Sequence, residues 1–108
     1  QHTILIVNKS AEERKLYRHY LEINSLYTNN IIEFETATQT LIYCQAQTPD
    51  LILVDFILPD ATVISFLEEL KHKSCITYMP VVVLSALGDE TIAVQVMKNG
   101  AQDYLVKN

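Results

Sequence analysis

Short runs of large apolar residues recur along this chain, with amphipathic segments between them. This alternation predicts a parallel β-sheet covered by helices, because parallel strands are buried on both faces and read as continuous apolar runs. Strand-helix crossovers are nearly always right-handed, so the strands should point the same way. The predicted strands are Ile4–Val7, Ile31–Phe34, Leu51–Val54, Val81–Leu84 and Tyr104–Val106.

Start and stop signals bound four helices between these strands. The first two openings are capping boxes, in which a hydroxyl and a Glu or Gln three residues later cap each other's backbone. The third shows apolar residues at helical spacing, and Gly100 predicts the end of the fourth. The first helix is predicted to open with Ser10–Glu13 and to end near Ile23 or Asn24, and the second to open with Thr36–Gln39. The third is predicted from the apolar repeat Val63 to Leu70, and the fourth opens with Asp89.

The composition excludes several classes of protein. The 108 residues are 49% hydrophobic, which suits one domain over residues 1–108, and the net charge of −5 disfavours binding to nucleic acid. No apolar run approaches the roughly 18 residues that span a bilayer, so we expect no membrane insertion and a cytoplasmic location. Because the chain opens with Gln1, we expect a fragment of a longer, multidomain protein. Cys44 and Cys75 lack the spacing of a metal site, and we expect both to be reduced.

Polar side chains follow four of the predicted strands. Asn8 and Lys9 follow the first, Asp55 the third, Ser85 the fourth and Lys107 the fifth. The carboxyl ends of parallel strands share one edge of the sheet, where ligands bind in open α/β folds. Convergence of several polar groups indicates a site more strongly than a single strand-end residue, which could simply cap a loop. The sequence therefore predicts a functional site at this edge.

Three stretches together resemble the response-regulator receiver domain, the phospho-accepting module of two-component signalling. They are VDFILPD around Asp55, VVVLSA around Ser85, and the closing GAQDYLVKN. The resemblance covers the whole chain. It implies a flavodoxin-like, doubly wound α/β fold with a five-stranded parallel sheet in the order 2-1-3-4-5 and helices on both faces. We expect the fifth helix of that fold to be absent from this fragment.

The resemblance also implies roles for individual residues. Asp55 would accept a phosphoryl group from a phosphohistidine, Ser85 would hydrogen-bond the phosphoryl oxygens, and Lys107 would pair with them. Tyr104 would be the aromatic switch. The implied partners are a sensor histidine kinase or phosphotransfer protein, a covalently linked output or kinase domain, and a second copy bound through the fourth helix and fifth strand. Such a domain is not an enzyme with a separate substrate.

One departure from the family concerns the metal. Receiver domains usually carry an acidic pair after the first strand, which holds Mg²⁺ together with the phospho-accepting aspartate, whereas this chain has Asn8 and Lys9. Asp55, Lys9 and Lys107 sum to +1, so we expect Mg²⁺ to bind weakly and no metal to bind tightly. Two mechanisms stay open. Lys9 pairs with Asp55 and the domain acts as a phosphorylation-independent docking or dimerisation module, or phosphotransfer persists with Lys9 as a fixed cation.

Other classes that use a strand-end nucleophile fit less well. A phosphatase of the dehalogenase type needs a second acid two residues after Asp55, where this chain has Ile57. A nucleotide site needs a glycine-rich phosphate loop, and the chain has only Gly88 and Gly100. No GxSxG motif surrounds Ser85, which argues against a serine hydrolase.

Overall fold

The computed structural model describes residues 2–24, 29–73 and 80–107. Strands and helices alternate through these residues as the apolar pattern predicts. In chain order the elements are β1 (His2–Val7), α1 (Ala11–Asn24), β2 (Asn29–Phe34), α2 (Ala37–Ala46), β3 (Leu51–Asp55), α3 (Val63–Lys73), β4 (Val81–Ser85), α4 (Glu90–Lys98) and β5 (Asp103–Val106).

The five strands form one sheet in the order β2-β1-β3-β4-β5, and every neighbouring pair is parallel. Its register brings the carboxyl ends together, because Val7 lies beside both Phe34 and Val54, and Ser85 lies beside Val106. The predicted fold class, strand order and strand positions are therefore confirmed.

Alternate residues of the strands face two separate layers. Leu5 and Val7 of β1 belong to the main core, which includes buried residues of α2, α3 and α4, with Phe66 of α3 completely buried. Ile4 and Ile6 face the opposite side, where Tyr17 and Leu21 of α1 pack against them. Helices thus lie on both faces of the sheet, and β1, β3 and β4 are largely buried as their apolar runs require, whereas β5 is mostly exposed.

The helix caps follow the sequence signals with one exception. Thr36 and Gln39 form the predicted capping box. Thr62 caps α3 by accepting a hydrogen bond from the backbone N–H of Ser65 at 3.1 Å, and Asp89 caps α4. Gly100 ends α4 with a φ of 104°, a conformation that favours glycine.

The box predicted at the start of α1 is only half correct. The Glu13 N–H does donate to Ser10 Oγ at 3.2 Å, but the Ser10 N–H donates to Asn8 Oδ1 at 2.8 Å instead of to the Glu13 carboxylate. The Glu13 side chain is thus available for another contact.

Part of the α1 side of the sheet forms an open apolar groove. Leu16 and Tyr20 of α1 line one wall, and Leu105 and Val106 of β5 line the other. All four residues are exposed. Within the described ranges, no helix is long and apolar enough to cross a bilayer. Cys44 is buried, whereas Cys75 lies outside the described residues.

A partly exposed ion cluster joins α1 to β2. The Glu33 carboxylate accepts from Arg14 Nε at 3.1 Å and from Arg18 Nε at 2.7 Å, and a second nitrogen of Arg18 donates to the Ile31 carbonyl. The hydrogen bond from Arg18 is the largest influence on Glu33, and it holds the pKa of that carboxyl below its ordinary value against the opposing effect of burial. Glu33 therefore helps to fix the angle at which α1 lies on the sheet.

We expect Glu33→Gln to lower the free energy of unfolding by about 1 kcal/mol at neutral pH, the upper range for a partly exposed ion pair. Because the folded-state pKa of Glu33 is lowered, its stabilisation is complete above the ordinary value of 4.5 and disappears as the pH falls through the folded-state value. Urea unfolding at neutral and acidic pH measures both effects. Glu35→Gln is the matched control, because Glu35 is exposed. Equal losses for the two variants at neutral pH would contradict the expectation.

Candidate functional site

The candidate site lies where β1, β3, β4 and β5 end at one edge of the sheet. Asp55 is the last residue of β3 and is only 6% exposed, and Ser85, which ends β4, is also buried. Backbone bonds extend the strand ladders to the next residues, since the Asn8 N–H donates to the Phe34 carbonyl and the Lys107 N–H to the Ser85 carbonyl. The structure thus brings Asn8, Asp55, Ser85 and Lys107 to this edge.

The Lys107 ammonium lies between two carboxylates. It forms an ion pair with Asp55 Oδ1 and donates a hydrogen bond to Glu13 Oε1 at 2.7 Å. A carboxylate as buried as Asp55 requires a partner, because an unpaired buried charge costs several kcal/mol. Lys107 supplies that partner from the residue directly after β5.

Glu13 joins this cluster from the first turn of α1. Its Oε1 also accepts from Asn8 Nδ2 at 3.2 Å and from the Tyr17 hydroxyl at 3.5 Å. The hydrogen bond from Lys107 is the largest influence and holds the pKa of Glu13 below its ordinary value, while burial acts in the opposite direction. Glu13, Asp55 and Lys107 together carry a formal charge of −1.

The protonated form of Lys107 is stabilised by this arrangement. Burial by itself would lower the pKa of Lys107. The hydrogen bonds to Asp55 and Glu13 outweigh burial and hold this pKa above its ordinary value. Lys107 is therefore a permanent cation at neutral pH, and its charge is shared by two anionic groups.

Lys9 does not take the place that one predicted mechanism assigned to it. Its side chain is exposed, and within the described residues it forms no ion pair with Asp55, whose cationic partner is Lys107. The reason lies in the β1–α1 turn: the Ser10 N–H binds Asn8 Oδ1, and an Arg14 guanidinium nitrogen donates to the Asn8 carbonyl at 2.6 Å. These bonds hold Asn8 in the site and leave Lys9 on the surface.

Ser85 and Tyr104 both contact the start of the β4–α4 loop. The Leu87 N–H donates to Ser85 Oγ at 3.0 Å, and the Tyr104 hydroxyl donates to the Leu87 carbonyl at 2.5 Å. The hydroxyl of Ser85 is thus held near the end of β4, and Tyr104 is tied to the same loop residue. The phosphoryl contact of Ser85 and the switching role of Tyr104 stay predictions.

Several oxygen atoms at this edge already have partners within the chain. Both carboxylates are bound by the Lys107 ammonium, and the Asn8 side chain oxygen already accepts from Ser10. Over residues 2–24, 29–73 and 80–107 there is no cluster of three His, Cys, Asp or Glu side chains that could hold a metal ion. Mg²⁺ prefers several oxygen ligands, and its weak binding at this edge stays a prediction.

Glu13 and Arg14 were missed as site residues. Sequence reasoning assigned Glu13 to a helix cap, and Arg14 carried no motif. Their shared signal was position, since both lie in the first turn of the helix that follows Asn8, where side chains can reach back toward the strand ends. Tyr17 follows Glu13 by four residues, so Glu13 and Tyr17 lie on one face of α1.

Comparisons with known proteins agree with this geometry. The family model of the response regulator receiver domain matches residues 4–108. The phosphate regulon transcriptional regulatory protein PhoB of Escherichia coli is 35% identical over 104 residues, covering 96% of this chain and 44% of PhoB. The KDP operon transcriptional regulatory protein KdpE of the same organism matches to the same extent. The Mn²⁺-bound form of response regulator Rcp1 superposes with a TM-score of 0.87 at 25% identity, covering 100% of this chain and 82% of that one.

The chain therefore spans less than half the length of these two curated relatives. Over that length it reproduces the strand order of the family fold and brings an aspartate, a serine and a lysine to the expected edge. The protein belongs to the response regulator receiver domains of two-component signalling.

Proposed function

We propose that Asp55 is the phosphoacceptor of this receiver domain and that Lys107, rather than a divalent cation, is the main positive charge beside it. The observation that carries the proposal is the ion pair between the Lys107 ammonium and the buried Asp55 carboxylate. A carboxylate held against a fixed cation suits phosphoryl transfer, in which the protein mainly positions groups and stabilises charge on the phosphoryl oxygens.

In this mechanism Asp55 Oδ2, the carboxylate oxygen that is not the one paired with Lys107, attacks phosphorus. A new bond forms between that oxygen and phosphorus, and the bond from phosphorus to the donor nitrogen or oxygen breaks with its electron pair. Lys107 then binds the phosphoryl oxygens, and Ser85, the last residue of β4, donates its hydroxyl to them. The domain is on this proposal a phosphoacceptor and not an enzyme with a separate substrate.

The relatives suggest the partners. PhoB and KdpE are named as transcriptional regulatory proteins, and this chain matches 44% of each. We propose that a sensor histidine kinase or a phosphotransfer protein donates the phosphoryl group, and that a covalently linked output or kinase domain responds. The acidic charge of the chain makes direct binding of this domain to nucleic acid unfavourable.

Acetyl phosphate tests the proposal directly. We expect the wild-type protein to gain the mass of one phosphoryl group slowly and with little response to Mg²⁺, and Asp55→Asn to gain none. Intact-mass spectrometry over time, with Mg²⁺ or with a chelator, measures both. A phosphoryl group that persists in Asp55→Asn would place the modification elsewhere and contradict the proposal.

Restoring acids after β1 tests the weak dependence on metal. In the double variant Asn8→Asp, Lys9→Asp we expect Mg²⁺ to accelerate phosphorylation by at least about tenfold, because each unit charge changed beside a divalent ion contributes more than about 1 kcal/mol at protein-surface dielectric. Lys15→Asp is the control, since Lys15 is an exposed lysine of α1. Strong Mg²⁺ dependence of the wild type would show that the metal site is intact.

A second function is favoured by the exposed apolar residues of the fold. Val94 and Met97 of α4 are about as exposed as Leu105 and Val106 of β5. We propose that an unmodified domain uses α4 and β5 to bind a second copy, as a docking or dimerisation module that works without phosphorylation. Both elements carry exposed apolar side chains that an interface between two copies would bury.

We expect sedimentation analysis to show a concentration-dependent dimer that Met97→Glu weakens by about tenfold or more, since a buried charge in an apolar interface costs at least about 1.4 kcal/mol. Ile42→Glu is the matched control, because Ile42 is an exposed apolar residue of α2, which packs at the other end of the sheet. A wild-type protein that stays monomeric at high concentration would exclude the dimer.

A further inference from the structure

Glu13 competes with Asp55 for the same ammonium group. Lys107 donates to Glu13 at 2.7 Å while it is paired with Asp55, so its charge is divided between two carboxylates that belong to different elements. Asn8 and Tyr17 add two further donors to the same Glu13 oxygen. Three donors on one oxygen hold this carboxylate firmly in the site.

Phosphorylation would change the balance between the two carboxylates. A phosphoryl group carries more negative charge than the carboxylate it modifies and adds strong acceptor oxygens. Lys107 must turn toward those oxygens to stabilise them, and it must give up part of its contact with Glu13 to do so. The Glu13 charge also repels an anionic phosphoryl donor that approaches Asp55.

We propose that Glu13 is a restraining residue, which holds Lys107 in the unphosphorylated arrangement and slows phosphorylation of Asp55. This inference rests on the proposed function of Asp55 as phosphoacceptor. The restrained step is the one in which a carboxylate oxygen of Asp55 bonds to phosphorus, the bond from phosphorus to the leaving oxygen of acetyl phosphate breaks, and acetate departs with the electron pair. Glu13 is not a reacting group in that step, and it acts through Lys107.

Glu13→Gln tests the restraint, because glutamine keeps the shape of the side chain and removes its charge. We expect its initial rate of phosphorylation by acetyl phosphate to exceed that of the wild type by about fivefold, the effect that one partly exposed ion pair can supply. Glu12→Gln is the matched control, since Glu12 is the exposed neighbour in the same helical turn and loses the same charge. Intact-mass spectrometry in the presence of a chelator measures all three proteins.

A second measurement separates the contact from the chemistry. We expect NMR titration of isotopically labelled lysine to show a lower pKa for Lys107 in Glu13→Gln than in the wild type, because one of its two anionic partners is lost. In Glu12→Gln the pKa of Lys107 should equal the wild-type value. This readout does not require phosphorylation.

The outcomes are distinguishable. If the wild type is phosphorylated at Asp55 and Glu13→Gln is no faster than Glu12→Gln, the restraint is overturned while the proposed function stands. If none of the three proteins is phosphorylated, the proposed function is overturned. The restraint is then overturned as well, whether or not the pKa of Lys107 falls. A faster Glu13→Gln together with a lowered pKa of Lys107 supports the inference.

Discussion

The ammonium of Lys107, held between Asp55 and Glu13, is the interaction on which the functional edge of this domain depends. It connects the end of β3, the first turn of α1 and the residue after β5 in one cluster. Because Asp55 is buried, its charge must be compensated inside the protein. Lys107 provides the compensation through a direct bond, and the β1–α1 turn closes the cluster from the other side.

The rest of the fold positions these groups. The parallel register places the ends of four neighbouring strands beside one another, and main-chain bonds continue past β1 and β5 to Asn8 and Lys107. On the α1 side, Arg14 binds both the Glu33 carboxylate and the Asn8 carbonyl. The orientation of α1 on the sheet and the conformation of the turn that enters the site are therefore linked through a single guanidinium group.

Relative to the usual receiver pocket, the negative charge has moved. The acidic pair expected after β1 is replaced by Asn8, which stays in the site, and Lys9, which lies on the surface. Glu13 of α1 adds one carboxylate to the site, and this carboxylate accepts a hydrogen bond from Lys107. The positive charge beside Asp55 is therefore the Lys107 ammonium, which belongs to the chain itself.

The sequence by itself determined the architecture and most of the site. Buried parallel strands must read as apolar runs, capping residues and Gly100 must stand at helix ends, and the polar residues after the strands must meet at one edge, since these relations are local or follow from chain direction. Asn8, Asp55, Ser85 and Lys107 could be assigned in this way. The partner of Asp55 was decided only by the tertiary structure, because the choice between Lys9 and Lys107 depends on bonds made by Arg14 and Ser10 in the β1–α1 turn. The role of Glu13 was likewise decided only by the tertiary structure. The local sequence is consistent both with a capping box and with an ion pair to a residue 94 positions away.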